Sequence, residues 1–296
     1  MTQDKKPLIQ IKALPGYFAA YRTTESNDID STKVNHLDLI NHTSWKELYA
    51  NIPTDTDRHE YKLLVLARHG QGYHNAAILR YGQELWSKKW GVLNGDEHGE
   101  WLDSKLTPLG KKQVSNTGKE VLLPMIQDLK ILPHQFFSSP MRRCLETFIG
   151  SWDHVFKEFP ELVDNQKPLQ VKIFENLRET LNTHPCNERV NHSITVKEYQ
   201  DYKTPSGVTV HWDYEDNYPE EDQLWSTDHW ETKEEIDLRI RDALTSVFEN
   251  VTSNDKLISI TCHSKVIESI LRITNHPAIH KLDTAKVVCI IVEIEK

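Results

Sequence analysis

The chain has 296 residues, of which 38% are hydrophobic and 27% are charged, and its formal net charge is -9. This composition excludes a wholly disordered chain, and the length allows one large domain or two small ones with a sizeable core. The acidic balance disfavours binding to nucleic-acid backbones or to anionic membrane surfaces, so an anionic substrate would need a local cluster of arginines and histidines.

Cysteine usage and hydropathy bear on the compartment. Cys144, Cys186, Cys262 and Cys289 occur without a C-x-x-C pair or zinc-type spacing, which favours free thiols in a reducing compartment. The amino terminus lacks the apolar core of a signal peptide, and no apolar run approaches the roughly twenty residues of a membrane span. We therefore expect a cytoplasmic protein, with the nucleus as a second compartment, that is not secreted.

The first 60 residues differ in pattern from the rest of the chain. They contain few periodic apolar segments and carry turn formers such as Pro15 and Pro53, which predicts an extension packed on the core, with a short helix at 45–49. From residue 61 onwards strand-like and helix-like segments alternate, which is typical of an α/β sheet. We predict one domain over 61–296.

The predicted elements follow in chain order. The strands are 61–67, 135–138, 171–174, 256–261 and 287–294, and the helices are 73–90, one beginning after Thr107, 140–156, 231–250 and 264–273. Thr107 is a good N-cap, and Ser139 is assigned as a cap with Pro140 in the first turn. Residues 203–235 are rich in Asp, Glu, Trp and Tyr, and are predicted to be a surface insertion or lid rather than core.

The most informative segment is an apolar strand that ends in Arg68-His69-Gly70. It delivers a histidine beside a fixed positive charge at the carboxyl end of a buried strand. Arg68 offers a planar donor fork for phosphate oxygens, and Gly70 permits a sharp turn and a close approach of ligand. The arrangement suits a histidine that attacks phosphorus. The alternatives are a structural histidine and a zinc site with His74, which lacks partners at the usual spacing.

Three other segments lie where a strand ends and a helix begins. Arg142 and Arg143 fall in the first turn of a helix, whose amino terminus favours anions. Glu179 follows a strand, and His263 repeats the pattern of a strand followed by a histidine.

Two assignments stay open at this level. On physical grounds either Arg142 or Arg143 could reach a phosphate, and the other would be a solvated helix residue. Glu175, one helical turn before Glu179, and the acidic residues of 203–235 are alternative acids.

Together the segments resemble the phosphoglycerate-mutase-like branch of the histidine phosphatase superfamily, with a particular likeness to fungal proteins described as phosphomutases. The likeness covers 61–296 and departs from the family at His263-Ser264-Lys265, where His-Gly-Gly is usual. Five segments occur in the family's order: Leu-Ala-Arg-His-Gly-Gln at 66–71 with Asn75, Leu-Thr-Pro-Leu-Gly at 106–110, Ser-Pro-Met-Arg-Arg at 139–143, Leu-Arg-Glu at 177–179 and Thr-Cys-His at 261–263.

The resemblance implies a three-layer α/β/α fold with a central, mainly parallel sheet flanked by helices. It also implies that His69 is the nucleophile and becomes phosphorylated, and that Glu179 is the general acid for the leaving alkoxide. No metal and no cofactor are expected. The other implied site residues are Arg68, Arg143 and His263 around the phosphoryl oxygens, and Gln71 and Asn75 as polar contacts to the phosphate or the leaving group.

The expected partner is a small phosphorylated metabolite, and three functions fit it. Family mutases usually carry a tail beyond the last strand, whereas this chain ends at Lys296 after the strand at 287–294, which favours a metal-independent phosphomonoesterase. A phosphomutase is the second alternative, with Trp212, Trp225 and Trp230 of the insertion in a substitute lid. An inactive regulatory module is the third.

Overall fold

The computed structural model describes residues 9–22, 37–164, 166–279 and 281–296. In this part of the chain eight strands form one sheet: β1 (Ile11–Ala13), β2 (His59–Arg68), β5 (Gln135–Ser138), β6 (Leu169–Ile173), β7 (Tyr202–Lys203), β8 (Thr209–Tyr214), β9 (Leu257–Cys262) and β10 (Val287–Glu295). Two short strands, β3 (Gly95–Asp96) and β4 (Gly99–Glu100), pair with each other outside it.

The spatial order of the sheet is β1-β10-β2-β9-β5-β6-β8-β7. Each neighbouring pair from β2 to β8 is parallel, whereas β10, β1 and β7 extend the two edges through antiparallel pairs. The prediction of a mainly parallel sheet is therefore confirmed.

Eight α-helices surround this sheet in the described residues: α1 (Trp45–Ala50), α2 (Tyr73–Lys88), α3 (Pro108–Thr117), α4 (Leu123–Leu129), α5 (Arg142–Glu158), α6 (His192–Tyr199), α7 (Lys233–Glu249) and α8 (Ser264–Ile273). The cap predicted for α3 is confirmed, since Oγ1 of Thr107 accepts a hydrogen bond from the Gly110 amide at 3.0 Å. None of the described helices is long and apolar enough to cross a membrane.

Strand β2 contributes to two hydrophobic cores, because successive side chains of a strand point to opposite faces. Leu63 and Val65 pack in a cluster with α4 and α5, whereas Leu64 and Leu66 pack in a second cluster with α7 and α8. All four side chains are fully buried, as is usual for a parallel sheet that is covered on both faces. The sheet lies between two helical layers, which confirms the three-layer α/β/α prediction.

The amino-terminal segment contributes to the core as well as to the surface. Ile11 of β1 is paired with Ile294 of β10 at one edge of the sheet. Phe18 and Leu48 are buried in the cluster that contains α4 and α5. The short helix expected at 45–49 is α1, and residues 1–8 and 23–36 of this segment lie outside the described part of the chain.

The prediction for 203–235 is wrong for residues Thr209–Tyr214, which form β8 inside the central sheet. Val210 and Trp212 alternate with more polar neighbours and are buried, and the Trp212 ring packs against Phe148 of α5 with centroids 5.6 Å apart. The turn-forming residues before β8 and the acidic residues after it obscured this short alternation. Trp212 is a core residue and not part of a lid.

Helix α5 begins two residues later than the predicted helix at 140–156. Its N-cap is Met141, whose side chain makes no capping bond, so the assignment of Ser139 as the cap and Pro140 as the first turn is wrong. Ser139 instead follows the end of β5, and its hydroxyl is hydrogen-bonded to His263.

The carboxyl ends of four adjacent parallel strands lie level with one another. Arg68 at the end of β2 is paired with Cys262 of β9, Thr261 with Ser138 of β5, and Ser138 with Ile173 of β6. The residues that come next in the chain therefore emerge side by side, at the edge where open α/β sheets bind ligands.

Candidate active site

His69 is the first residue after β2, and only 1% of its surface is exposed. Its Nδ1 lies 2.7 Å from the carbonyl oxygen of Gly70. Because a carbonyl oxygen can only accept, this bond places the proton of the neutral ring on Nδ1 and leaves a lone pair on Nε2. Burial, followed by the charges of Arg143 and Arg68, holds the pKa of His69 well below its ordinary value of 6.5. The ring is neutral, and its Nε2 carries the free lone pair.

The loop after His69 packs closely against the start of α3. A Cβ atom on Gly70 would lie 2.8 Å from the carbonyl oxygen of Gly110, and a Cβ atom on Gly110 would lie 2.1 Å from that of Gln71. Neither position accepts a side chain without a shift of the backbone. The Gly70 amide also donates to Oγ1 of Thr147 on α5 at 3.0 Å. This packing explains why the segment at 106–110 ends in glycine.

Two guanidinium groups meet at the same strand ends. Arg143, in the first turn of α5, is fully buried and donates to the carbonyl oxygen of Cys186 at 2.8 Å and to Oδ1 of Asn187 at 3.1 Å. Arg68 donates to the carbonyl oxygen of Leu282. The Nε atoms of both arginines are buried without a partner, and no carboxylate of the described residues forms an ion pair with either. Because a buried charge is unfavourable unless it is compensated, buried Arg143 and half-buried Arg68 form a candidate anion site.

Arg142 is not the solvated helix residue that the sequence suggested. It is 6% exposed, its Nε donates to the backbone carbonyl of Asp103 at 3.0 Å, and its own amide donates to Oδ1 of Asp103 at 3.0 Å. A third bond joins its Nη2 to the carbonyl oxygen of Leu102. Arg142 therefore fastens the 102–103 loop to α5, and Arg143 alone of the two enters the anion site.

His263 follows β9 and is fully buried. Its Nε2 lies 2.8 Å from Oγ of Ser139 and 3.5 Å from Sγ of Cys144, while its Nδ1 is buried without a partner. Burial and the charge of Arg143 hold its pKa well below 6.5. Its ring lies edge-on to that of His69, with centroids 5.1 Å apart. The structure thus brings the two predicted histidines together, and leaves an imidazole nitrogen of His263 available to a ligand.

Glu179 is half-buried in the loop that follows the 3-10 turn Glu175–Leu177. Its Oε2 accepts a hydrogen bond from Oγ of Ser264, the residue after His263, at 3.2 Å. Its backbone carbonyl accepts from Nη2 of Arg239 at 3.2 Å. The carboxylate therefore faces the strand ends that carry the histidines.

Two of the alternative acids, Glu175 and Asp222, are engaged elsewhere. Glu175 accepts from Nη1 of Arg178 at 2.7 Å and from the hydroxyl of Tyr218. Asp222 accepts from Nη1 and Nη2 of Arg178 at 2.7 and 2.6 Å. Burial raises the pKa of Asp222, but the hydrogen bonds and charge of Arg178 outweigh it and lower the pKa to about 2. These carboxylates hold the Leu-Arg-Glu segment in place.

Gln71 lies on the loop after His69 and Asn75 lies in the first turn of α2, but both side chains already make hydrogen bonds. Oε1 of Gln71 accepts from Oγ1 of Thr107 at 2.8 Å, and Oδ1 of Asn75 accepts from the Gly72 amide at 2.9 Å. The amide nitrogen of each side chain is the group that remains to donate to an anion.

Three residues of the site were missed as functional candidates in the sequence. Asn187 orients Arg143, Ser139 bonds to His263, and the ring of His74 lies 5.6 Å from that of His69. His74 is 8% exposed, and its Nδ1 is buried without a partner. Only the position of Ser139 after a strand carried a signal, because the other two acquire neighbours through tertiary contacts.

A surface cavity of about 530 Å³ lies elsewhere, at the amino-terminal ends of β2 and β9. Asp55, Lys256 and Lys296 line it, and Lys256 is ion-paired with Asp55. None of the candidate site residues lines this cavity. Within the described residues no group of three or more His, Cys, Asp and Glu side chains is placed to hold a metal ion.

The architecture and the strand-end histidines define an α/β protein with a candidate anion site at the carboxyl ends of its strands, and comparison with known proteins gives its family. The chain is 58% identical to a Saccharomyces cerevisiae protein described as "probable phosphoglycerate mutase PMU1", over 97% of each chain. It is 30% identical to a "probable phosphoglycerate mutase" of Arthroderma benhamiae over 79% of this chain and 64% of that protein. It therefore belongs to the phosphoglycerate-mutase-like branch of the histidine phosphatase superfamily.

The chain was also compared with solved structures and with protein-family models. The crystal structure of a phosphoglycerate mutase from Bacillus anthracis is similar at 16% identity with a TM-score of 0.44, over 78% of this chain and 88% of that one. No family model matches the chain.

Proposed function

We propose that this protein hydrolyses phosphate monoesters of small metabolites, without a metal ion, through a phosphohistidine at His69. The observation that carries the proposal is the pair of arginines near the neutral imidazole of His69, buried Arg143 and half-buried Arg68, whose Nε atoms are both buried without a partner. They supply the positive charge that the oxygens of a transferring phosphoryl group need. His263 adds a further hydrogen-bonding nitrogen to this pocket.

The first half-reaction forms the phosphoenzyme. The Nε2 lone pair of His69 attacks phosphorus, the bond between phosphorus and the ester oxygen breaks, and Glu179 gives its proton to the departing alkoxide. Gln71 and Asn75 donate to the phosphoryl group or the leaving group from their amide nitrogens.

The second half-reaction returns the enzyme to its starting state. Glu179, now ionised, takes a proton from a water molecule whose oxygen attacks the phosphorus. The bond between nitrogen and phosphorus breaks, which releases inorganic phosphate and regenerates neutral His69. The partial exposure of Glu179 supports this step, because water reaches the carboxylate that activates it.

A phosphomutase is the second candidate, and the description of the S. cerevisiae relative favours it. A mutase would form the same phosphohistidine and pass the phosphoryl group to another hydroxyl of the bound substrate. It would have to exclude water until that transfer is complete.

A metabolite panel tests the proposal. The protein is incubated in EDTA with phosphorylated metabolites, including 3-phosphoglycerate, and inorganic phosphate and isomerised esters are measured separately. Hydrolysis predicts phosphate release that disappears in His69→Ala, while Lys88→Ala, an exposed control on α2, retains it. Isomerisation without phosphate release would identify a mutase, and neither reaction with any ester would contradict both candidates.

A further inference from the structure

The two nitrogens of the His263 ring have different surroundings. Nε2 lies 2.8 Å from Oγ of Ser139 and 3.5 Å from Sγ of Cys144, whereas Nδ1 is buried without a partner. His263 is also the N-cap of α8, yet its side chain makes no capping bond to the first amides of that helix. A neutral imidazole has a single N–H group, so the position of this proton decides which nitrogen can donate to a ligand.

The hydroxyl of Ser139 determines where that proton lies. Ser139 is fully buried, and its oxygen contacts the amide of Met141 at 3.5 Å. Among the described residues, this hydroxyl has no nitrogen or oxygen acceptor other than Nε2 of His263. If Nε2 carried the ring proton, the hydroxyl proton of Ser139 would be buried without an acceptor, which is unfavourable. Ser139 therefore donates to Nε2.

Cys144 favours the same position of the ring proton. Burial raises the pKa of its thiol to about 12, so the thiol is protonated at neutral pH. Its S–H group is a weak donor that lies 3.5 Å from the carbonyl oxygen of Cys262 and 3.5 Å from Nε2 of His263. Because the ring of His263 is neutral and Nε2 lies among donors, its proton lies on Nδ1.

An anion would supply the acceptor that this Nδ1–H group lacks. The ring of His263 lies edge-on to that of His69, and Arg143 is the charged residue with the largest effect on its pKa. The amino terminus of α8, which begins at Ser264, also favours negative charge beside His263. A lone pair on Nδ1 would repel a bound anion, whereas an N–H group donates to it.

We propose that Ser139 is a positioning residue that fixes the tautomer of His263, so that Nδ1–H of His263 donates to the anion held by Arg143 and Arg68. The inference rests on the proposed function in taking this anion to be the phosphoryl group. Ser139 acts only through His263 and does not touch the substrate. Without its hydroxyl, the ring can move its proton to Nε2, and the anion then loses a donor.

NMR of isotope-labelled histidine rings tests the proposal, since the chemical shifts of the two ring nitrogens show which one is protonated. Signals are recorded with and without inorganic phosphate, and His263→Gln assigns those of His263. We expect the proton on Nδ1 in the unmodified protein, with and without phosphate. Ser139→Ala should populate the form protonated on Nε2, and Ser139→Thr, which keeps a hydroxyl, should restore the Nδ1–H form.

Binding and kinetics measure the consequence for the anion. Ser139→Ala should weaken the binding of inorganic phosphate about tenfold. It should lower kcat for p-nitrophenyl phosphate by about 10- to 100-fold, less than the complete loss of one such donor. Ser138→Ala is the matched control, because Ser138 is equally buried and its hydroxyl donates to the carbonyl oxygen of Ser139 at 3.0 Å. It should change neither the tautomer nor the binding of phosphate.

A proton on Nε2 of His263 in the unmodified protein would overturn the inference, and this measurement needs no variant of Ser139 that folds. An unchanged tautomer in Ser139→Ala would also overturn it. Equal losses of phosphate binding in Ser138→Ala and Ser139→Ala would show that Ser139 has a structural role only. If the tautomer and phosphate binding change as expected but the unmodified protein hydrolyses no ester, the proposed function fails while the role of Ser139 stands.

Discussion

Arg142 and Arg143 are adjacent in the chain, yet only Arg142 has a carboxylate partner in the part of the chain that the structure describes. Arg142 is held by Asp103, whereas Arg143 donates only to uncharged oxygens of Cys186 and Asn187. Consecutive residues of a helix point about 100° apart, so one arginine faces a structural loop and the other faces His69. The charge of Arg143 is left for a ligand.

Replacing each arginine by methionine separates the two roles. Arg143→Met should lower kcat/KM by about 10²–10³, the usual effect of losing one donor to a transition-state oxygen. Its free energy of unfolding should stay equal or rise, because an uncompensated buried charge is removed. Arg142→Met should instead lower the free energy of unfolding by about 3–5 kcal/mol, because the buried carboxylate of Asp103 keeps its backbone donors but loses the guanidinium charge that compensates it. Steady-state kinetics measure kcat/KM and urea unfolding measures the stability of the two variants. A loss of activity confined to Arg142→Met, with a loss of stability confined to Arg143→Met, would contradict the roles assigned to the two arginines.

The dependence on leaving group tests the role of Glu179. Glu179→Gln cannot donate a proton, so kcat for phenyl phosphate should fall by about 10²–10⁴. The loss should be much smaller for p-nitrophenyl phosphate, whose leaving group departs readily as an anion. Rates with the two esters give the comparison.

Glu175→Gln is the matched control for the same pair of esters. It weakens the contacts of Glu175 with Arg178 and Tyr218, and should lower stability without changing the ratio of the two rates. A change in the ratio of the two rates in Glu175→Gln, with no change in Glu179→Gln, would show that Glu179 is not the general acid.

The free energy of unfolding should decrease as the pH is lowered below 7. His69, His74 and His263 have folded-state pKa values well below 6.5, so as the pH drops through 6.5 they take up protons in the unfolded state before they do so in the folded state. Each then lowers the free energy of unfolding by up to about 1.4 kcal/mol per pH unit. Urea unfolding at pH 7, 6 and 5 measures the slope. In His74→Gln the slope of the free energy of unfolding against pH should be smaller by the contribution of one histidine. An unchanged slope in this variant would contradict the inferred charge state of His74.

The sequence predicted the placement of the candidate site residues well where that placement depends on strand ends. His69 and His263 each follow a buried apolar strand, and parallel strands bring such residues to one edge of the sheet whatever the intervening chain does. The helix-start pattern likewise placed Arg142 and Arg143 together, but it could not tell them apart, because the difference lies in Asp103, nearly 40 residues away in the chain.

The errors share one physical origin. β8 was missed because a six-residue alternation between a Thr-Pro-Ser-Gly turn and acidic residues is a weak signal, and its burial depends on pairing with β6. Asn187 gained its contact with Arg143 only when distant segments came together, whereas His74 lies five residues from His69 and was set aside as an ordinary polar residue. Local hydrophobic periodicity does not predict such tertiary contacts.

The most direct test of the central claim is to trap the phosphoenzyme. The protein is mixed with a phosphate ester, quenched in alkali within milliseconds to seconds, digested and analysed by mass spectrometry without acid. We predict an acid-labile phosphoryl group on His69, increased in Glu179→Gln when p-nitrophenyl phosphate is used, and absent from His69→Ala. Hydrolysis of the ester with no phosphorylated His69 at any time, or the same phosphorylated species in His69→Ala, would contradict the account.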